Sequence, residues 1–176
     1  LLDEYIYGAP EDVHLTPTSE DGYNALMAYM SLYEATKQSK YLDLAQRAAD
    51  YLLTFRFTYN TSFDPISILG KYRFLTQGAD IASPCNNHLH NYGLICYPEL
   101  IALSKYTGKD YYSARAEDHR LCWLQSICRI DGYMGGLKGM VPEQVYHAEW
   151  HHAKGSVLPL SHSWCSAMIL YANCWN

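Results

Sequence analysis

NYGLICYPELIALSKYTGKDYYSARAEDHRLCWLQSI, residues 91–127, decides how the chain is built. Apolar residues recur at helical spacing on both sides of a short turn, Thr107 to Asp110, so the stretch reads as two antiparallel helices. The same design stands upstream. SEDGYNALMAYMSLYEAT (Ser19–Thr36) sets Ala25, Leu26, Tyr29, Leu32 and Tyr33 at helical spacing, with Thr18 and Asp21 arranged as an N-cap behind Pro17. After the turn Lys37 to Lys40, Tyr41, Leu44, Ala45, Ala48, Leu52 and Phe55 fall on one stripe. Aligned on their turns, the two hairpins pair Gly22 with Gly93, Ala25 with Cys96, Leu32 with Leu103 and Thr36 with Thr107, an offset of 71 each time. The same step from Gly93 lands on Trp164, inside SHSWCSAMILYANCW, where Cys165, Met168, Ile169 and Ala172 keep the spacing. Two hairpins and the first helix of a third predict an all-α fold, with residues 1–176 as one helical-hairpin domain.

The composition narrows the class. A chain that is 49% hydrophobic and 18% charged can bury a core as one domain. A net charge of -5 and a pI near 5.9 argue against a nucleic-acid surface, which is clustered and basic. With no run of about 18 apolar residues, no bilayer span is expected. Six cysteines include no CxxC pair, and Cys96, Cys122 and Cys165 sit in apolar helical patterns, so they read as reduced thiols. With no signal-peptide pattern at Leu1-Leu2-Asp3-Glu4, this favours a cytoplasmic location. The 17 Tyr and 4 Trp supply flat apolar faces with polar handles, suited to stacking on sugar rings as well as to packing.

Two connections, residues 58–91 and 130–161, are far longer than the hairpin turns, and connections of that length are usually functional. Short turns at one end of a helix array send the long connections to the other, beside the N-termini of the helices that follow. Backbone N–H groups point there and favour anionic or hydroxyl-rich ligands. Both connections carry a polar stretch: GADIASPCNNHLHNYG (Gly78–Gly93) and VYHAEWHHAKG (Val145–Gly155).

Hairpins with TGKDYY and QSKYL turns, long crossing loops and a period near 70 residues resemble the six-hairpin glycosidase-like superfamily, over about Asp21 to Cys174. TQGADIASPCNNHLHNYGL and KGSVLPLSHSW are similar to loop patterns of bacterial members. The resemblance implies part of an (α/α)6 toroid, an oligo- or polysaccharide ligand and glycoside-hydrolase chemistry. Since six such units need roughly 400 residues, it also implies the rest of a longer chain as a neighbour. The alternative is a non-catalytic domain that binds glycan or packs against a larger enzyme.

Hydrolysis of a glycosidic bond takes two carboxyl groups across the scissile linkage. Asp80 is the first candidate, with Glu143 or Glu149 as the second, since Tyr146 and Trp150 offer desolvation that would raise a carboxylic acid's pKa. Asn87, His88, His90, His147, Trp150, His151, His162 and Trp164 are the candidate substrate-binding residues. His88 and His90 are read as facing opposite sides of an extended segment. His90 and His162 lie at equivalent repeat positions and could share a helix-entry role. His147 and His151 have a spacing that can bind zinc, with Cys85 or His88 completing the set, but HAEWH is not HExxH. Sugar-binding histidines are favoured, and no metal or cofactor is expected.

Overall fold

The computed structural model describes residues 16–149, 152–158 and 163–175. Its helices are α1 (Ser19–Thr36), α2 (Ser39–Leu53), the single turn α3 (Ile68–Lys71), α4 (Tyr97–Thr107), α5 (Asp110–Leu124) and α6 (Ser163–Asn173). A 3₁₀ segment, Tyr92–Cys96, leads directly into α4. The hairpins α1–α2 and α4–α5 are real, and α5 begins and ends 71 residues after α2.

The equivalence reaches the atoms of the turns. Thr36 Oγ1 donates to Leu32 O at 2.6 Å, and Thr107 Oγ1 donates to Leu103 O at 2.7 Å. Both helices then close on a left-handed residue, Lys37 (φ 56°) in one and Gly108 (φ 70°) in the other, whose N–H reaches back to the last turn. A Cβ on Gly108 would meet nothing within 4 Å, so its only cost is backbone conformation. Gly108→Ala is therefore expected to lower stability by about 1 kcal/mol, read as a shifted urea midpoint at unchanged slope. At the N-terminus of α1, Thr18 Oγ1 accepts from the Asp21 N–H and donates to the Asp21 carboxylate.

The expectation of an all-α chain is wrong. The protein is mixed, 53% helical with a four-stranded antiparallel sheet holding 7% of the residues. The strands are β1 (Asp80–Ile81), β2 (His88–His90), β3 (Gln144–Tyr146) and β4 (Val157–Leu158), in that spatial order. The first long connection supplies β1 and β2, and the second supplies β3 and β4. The reason is the backbone's need for partners. Segments rich in Gly, Pro and Asn cannot satisfy their N–H and C=O groups as helix, and they satisfy them against each other.

Register explains why the sheet holds. Ile81 pairs with Leu89, Leu89 with Val145 and Val145 with Val157, so one aliphatic row crosses all four strands on the core face. Residues on either side of that row point to the opposite face. There stand Asp80, His88 and His90, yet all three are buried, because the hairpin helices cover that face as well.

Candidate functional site

Beneath the 3₁₀ segment lies a buried charge cluster. Arg56, just past α2, donates from Nε to Asp80 Oδ1 at 2.7 Å and from Nη2 to Asp80 Oδ2 at 2.8 Å. Its Nη1 donates to Arg115 O at 2.8 Å. His119, on α5, has Nδ1 at 2.6 Å from Gly78 O and Nε2 at 3.7 Å from Asp80 Oδ2. The carbonyl fixes the His119 proton on Nδ1, so the neutral ring's Nε2 is an acceptor with no donor in reach among the described residues. Burial pushes the Asp80 carboxyl up, but the Arg56 guanidinium and the His119 ring hold it below the ordinary range. The side chains of this pair are 1% and 0% exposed.

Gly93 completes the packing. A Cβ there would run into the Asp80 carboxylate and stand 3.1 Å from His119 Nε2. The bare backbone is what allows the 3₁₀ segment to rest on the ion pair. Asp80 is thus placed as a foundation for that segment, sealed from solvent with both oxygens engaged, and this does not suit a group that must meet a substrate.

The imidazoles are equally enclosed. His88 and His90 share a face, as residues two apart on a strand do, with ring centroids 5.5 Å apart; the opposite-sides expectation is corrected. His88 Nδ1 sits 2.7 Å from Asn86 Oδ1, while Asn87 turns its amide to Pro84 O. His90 Nε2 lies 3.0 Å from Ser19 Oγ, a contact between equivalent positions of the two hairpins. Burial lowers the His88 pKa to about 4, that of His90 to about 3 and that of His119 to about 4. Ser19, His90 and Asp80 superficially resemble a catalytic triad. However, His90 Nδ1 has no hydrogen-bond partner, Asp80 is bound to Arg56, and Ser19 is buried.

An open surface begins one step outward. Tyr92 lies 4.5 Å from His90, ring to ring, and on its other side 5.4 Å from Trp164, which is 48% exposed at the start of α6. Tyr92 and Trp164 border a cleft of about 280 Å³ with Glu20, Tyr23 and Asn24 of α1 and Ile95. The Tyr92 hydroxyl donates to Glu143 Oε1 at 3.3 Å. Burial pushes the Tyr92 phenol up, and Cys165, Glu143 and Glu20 nearby push it further, so it stays a protonated donor. The cleft therefore combines a two-ring platform with the Glu20 carboxylate and the Asn24 amide, and Glu143 adjoins it through the Tyr92 hydroxyl. Helix N-termini frame it: α1, the 3₁₀ segment before α4, and α6 all open there.

Of the expected site residues, Trp164 lines this cleft and Glu143 adjoins it through Tyr92, while His88 and His90 are buried. His147 is half-buried against Phe57 at 4.7 Å, with its pKa lowered by burial and by Lys154. Glu149 is exposed between β3 and β4. Trp150, His151 and His162 lie outside the described residues. No group of three His, Cys, Asp or Glu side chains able to hold a metal occurs among the described residues, and no helix there is long and apolar enough to cross a membrane. The six cysteines are free thiols. Glu20, Tyr23 and Asn24 escaped the sequence reading, although the offset of 71 carried a signal. It projects the helix start at Trp164 back onto Gly22, in the middle of them. The chain matches no family model and no curated protein.

Proposed function

We propose that the chain is carbohydrate-active and takes a sugar ring in the cleft between the N-terminal ends of α1 and α6. The observation that carries this reading is the half-exposed Trp164 tilted against Tyr92, beside Glu20, Asn24 and Glu143. A pyranose offers apolar C–H faces and equatorial hydroxyls, and it needs such a platform with acceptors at its edge. A cleft of about 280 Å³ fits one ring. Titration of a panel of neutral oligosaccharides, followed by tryptophan fluorescence and calorimetry, tests the reading. Trp164→Ala is expected to weaken binding about tenfold or more, and Glu143→Gln by roughly three- to tenfold. No saturable binding to any member of the panel would refute it.

Hydrolysis is the second reading, favoured by the Glu20 carboxylate on the cleft wall and by Glu143, which adjoins the cleft through Tyr92. Here Glu20 and Glu143 form the pair, in place of Asp80 with Glu143 or Glu149. Release of reducing ends that is lost in both Glu20→Gln and Glu143→Gln, with binding retained, would establish it. Binding without release would leave a glycan-binding domain.

A further inference from the structure

Further along α1, α4 and α6, beyond the cleft, a second cavity of about 460 Å³ opens. Glu34 of α1, Glu99, Lys105 and Tyr106 of α4, Tyr171 of α6 and Trp175 just past its end carry its chemistry. Glu99 is half-buried, and its Oε2 is enclosed with no hydrogen-bond partner. Burial raises its pKa against the pull of a hydrogen bond from its own backbone N–H, and the charge of Glu34 on the same cavity adds to the rise. Glu99 in turn raises the Tyr171 phenol, after burial, and both residues line the cavity. Tyr171 meets Trp175 edge to face at 5.6 Å, and Tyr106 stands edge-on to Tyr33 at 4.9 Å. Among the described lining residues Lys105 is the one cation, and it is exposed.

We propose that this cavity binds an aliphatic ammonium ligand, whose N–H groups reach Glu99 and Glu34 while its carbons lie against Tyr171 and Trp175. An enclosed carboxylate oxygen needs a donor, and a charged donor also relieves the repulsion between the two acids. The aromatic walls attract a cation through their ring faces and accept methylene groups. A neutral apolar ligand would leave Glu99 Oε2 without a donor, and an anion would face two carboxylates. Lys105 is the internal competitor for the same acids. The site is separate from the sugar cleft and does not depend on it.

The test is calorimetric titration of 1,4-diaminobutane into the full chain at fixed ionic strength, with 1,4-butanediol as the uncharged counterpart. Saturable one-site binding of the diamine and none of the diol is expected. Glu99→Gln should weaken it about tenfold or more, and Trp175→Ala roughly three- to fivefold. Lys105→Met should strengthen it, whereas Trp164→Ala and Glu143→Gln should leave it unchanged. Three results would overturn the assignment: no saturable heat at millimolar diamine, equal affinity in Glu99→Gln, or equal loss in the remote surface variant Asp43→Asn.

Discussion

Asp80→Asn destabilises the fold by about 3–5 kcal/mol, the usual cost of leaving one member of a buried ion pair without its partner. The amide is isosteric, so no cavity forms. What changes is that the Arg56 guanidinium, which donates two short hydrogen bonds to the carboxylate, keeps its charge in a sealed site with nothing to balance it. One Asn oxygen replaces one acceptor, and its NH₂ opposes the other donor. Because Gly93 rests on the carboxylate, the loss propagates to the 3₁₀ segment that carries Tyr92. Chemical denaturation followed by circular dichroism reads the effect directly. A wild-type midpoint in Asp80→Asn would show that the pair holds nothing together, and it would return Asp80 to the list of candidate acids.

Acidification is the second large effect. The His88, His90 and His119 imidazoles have folded pKa values of about 4, 3 and 4, against 6.5 for an ordinary imidazole. All three are depressed, so as the pH falls below 6.5 the unfolded chain takes up protons before the folded one. Stability is intact above that pH and declines down to about 4 for His88 and His119, and to about 3 for His90. Each imidazole contributes a slope of about 1.4 kcal/mol per pH unit, so the three together reach up to about 4. Asp80 acts in the same direction at lower pH, since its depressed pKa favours the folded state only while it is ionised. Between pH 6 and 5 the three remove at most about 4 kcal/mol, a large share of the roughly 5–15 kcal/mol of an ordinary domain, so melting temperatures should fall steeply there. His90→Gln should cut the steepness by about a third, and flat melting temperatures from pH 7.5 to 5 would contradict the burial of these rings.

The contrast between hairpins and sheet follows from how far apart interacting residues lie. Helix periodicity and the Thr-capped turns are local, and α2 and α5 were readable from them. The stripe of α1 was misjudged by part of a turn. Its buried side is Gly22, Tyr23, Leu26 and Met30, while Leu32 is 41% exposed. The strands are two or three residues each, too short for a periodic pattern, and the two strand pairs join only through a distant contact, Leu89 with Val145. Asp80 looked like a free acid because no charge stands near it in the chain. Its partner Arg56 is 24 residues upstream, and His119 comes from another helix. The polar stretch His88–His90 was read as a ligand-facing lining, and it proved to be an interior polar layer. Trp164, an aromatic at a helix start, does stand at the surface beside the cleft, while Glu143 is half-buried and reaches it only through Tyr92.

The row Ile81–Leu89–Val145–Val157 bears on the order of assembly. Each helical hairpin can zip from contacts close in the chain, whereas the ladder between β2 and β3 must recruit segments more than fifty residues apart and bear the full entropy of closing that loop. Tyr92 and Glu143 sit immediately beyond those two strands, so the edge of the cleft that their hydrogen bond forms waits on that ladder. A sugar bound there would act as a latch on the late step. It would slow amide exchange at Leu89 and Val145 while leaving the interior of α2 to breathe as before.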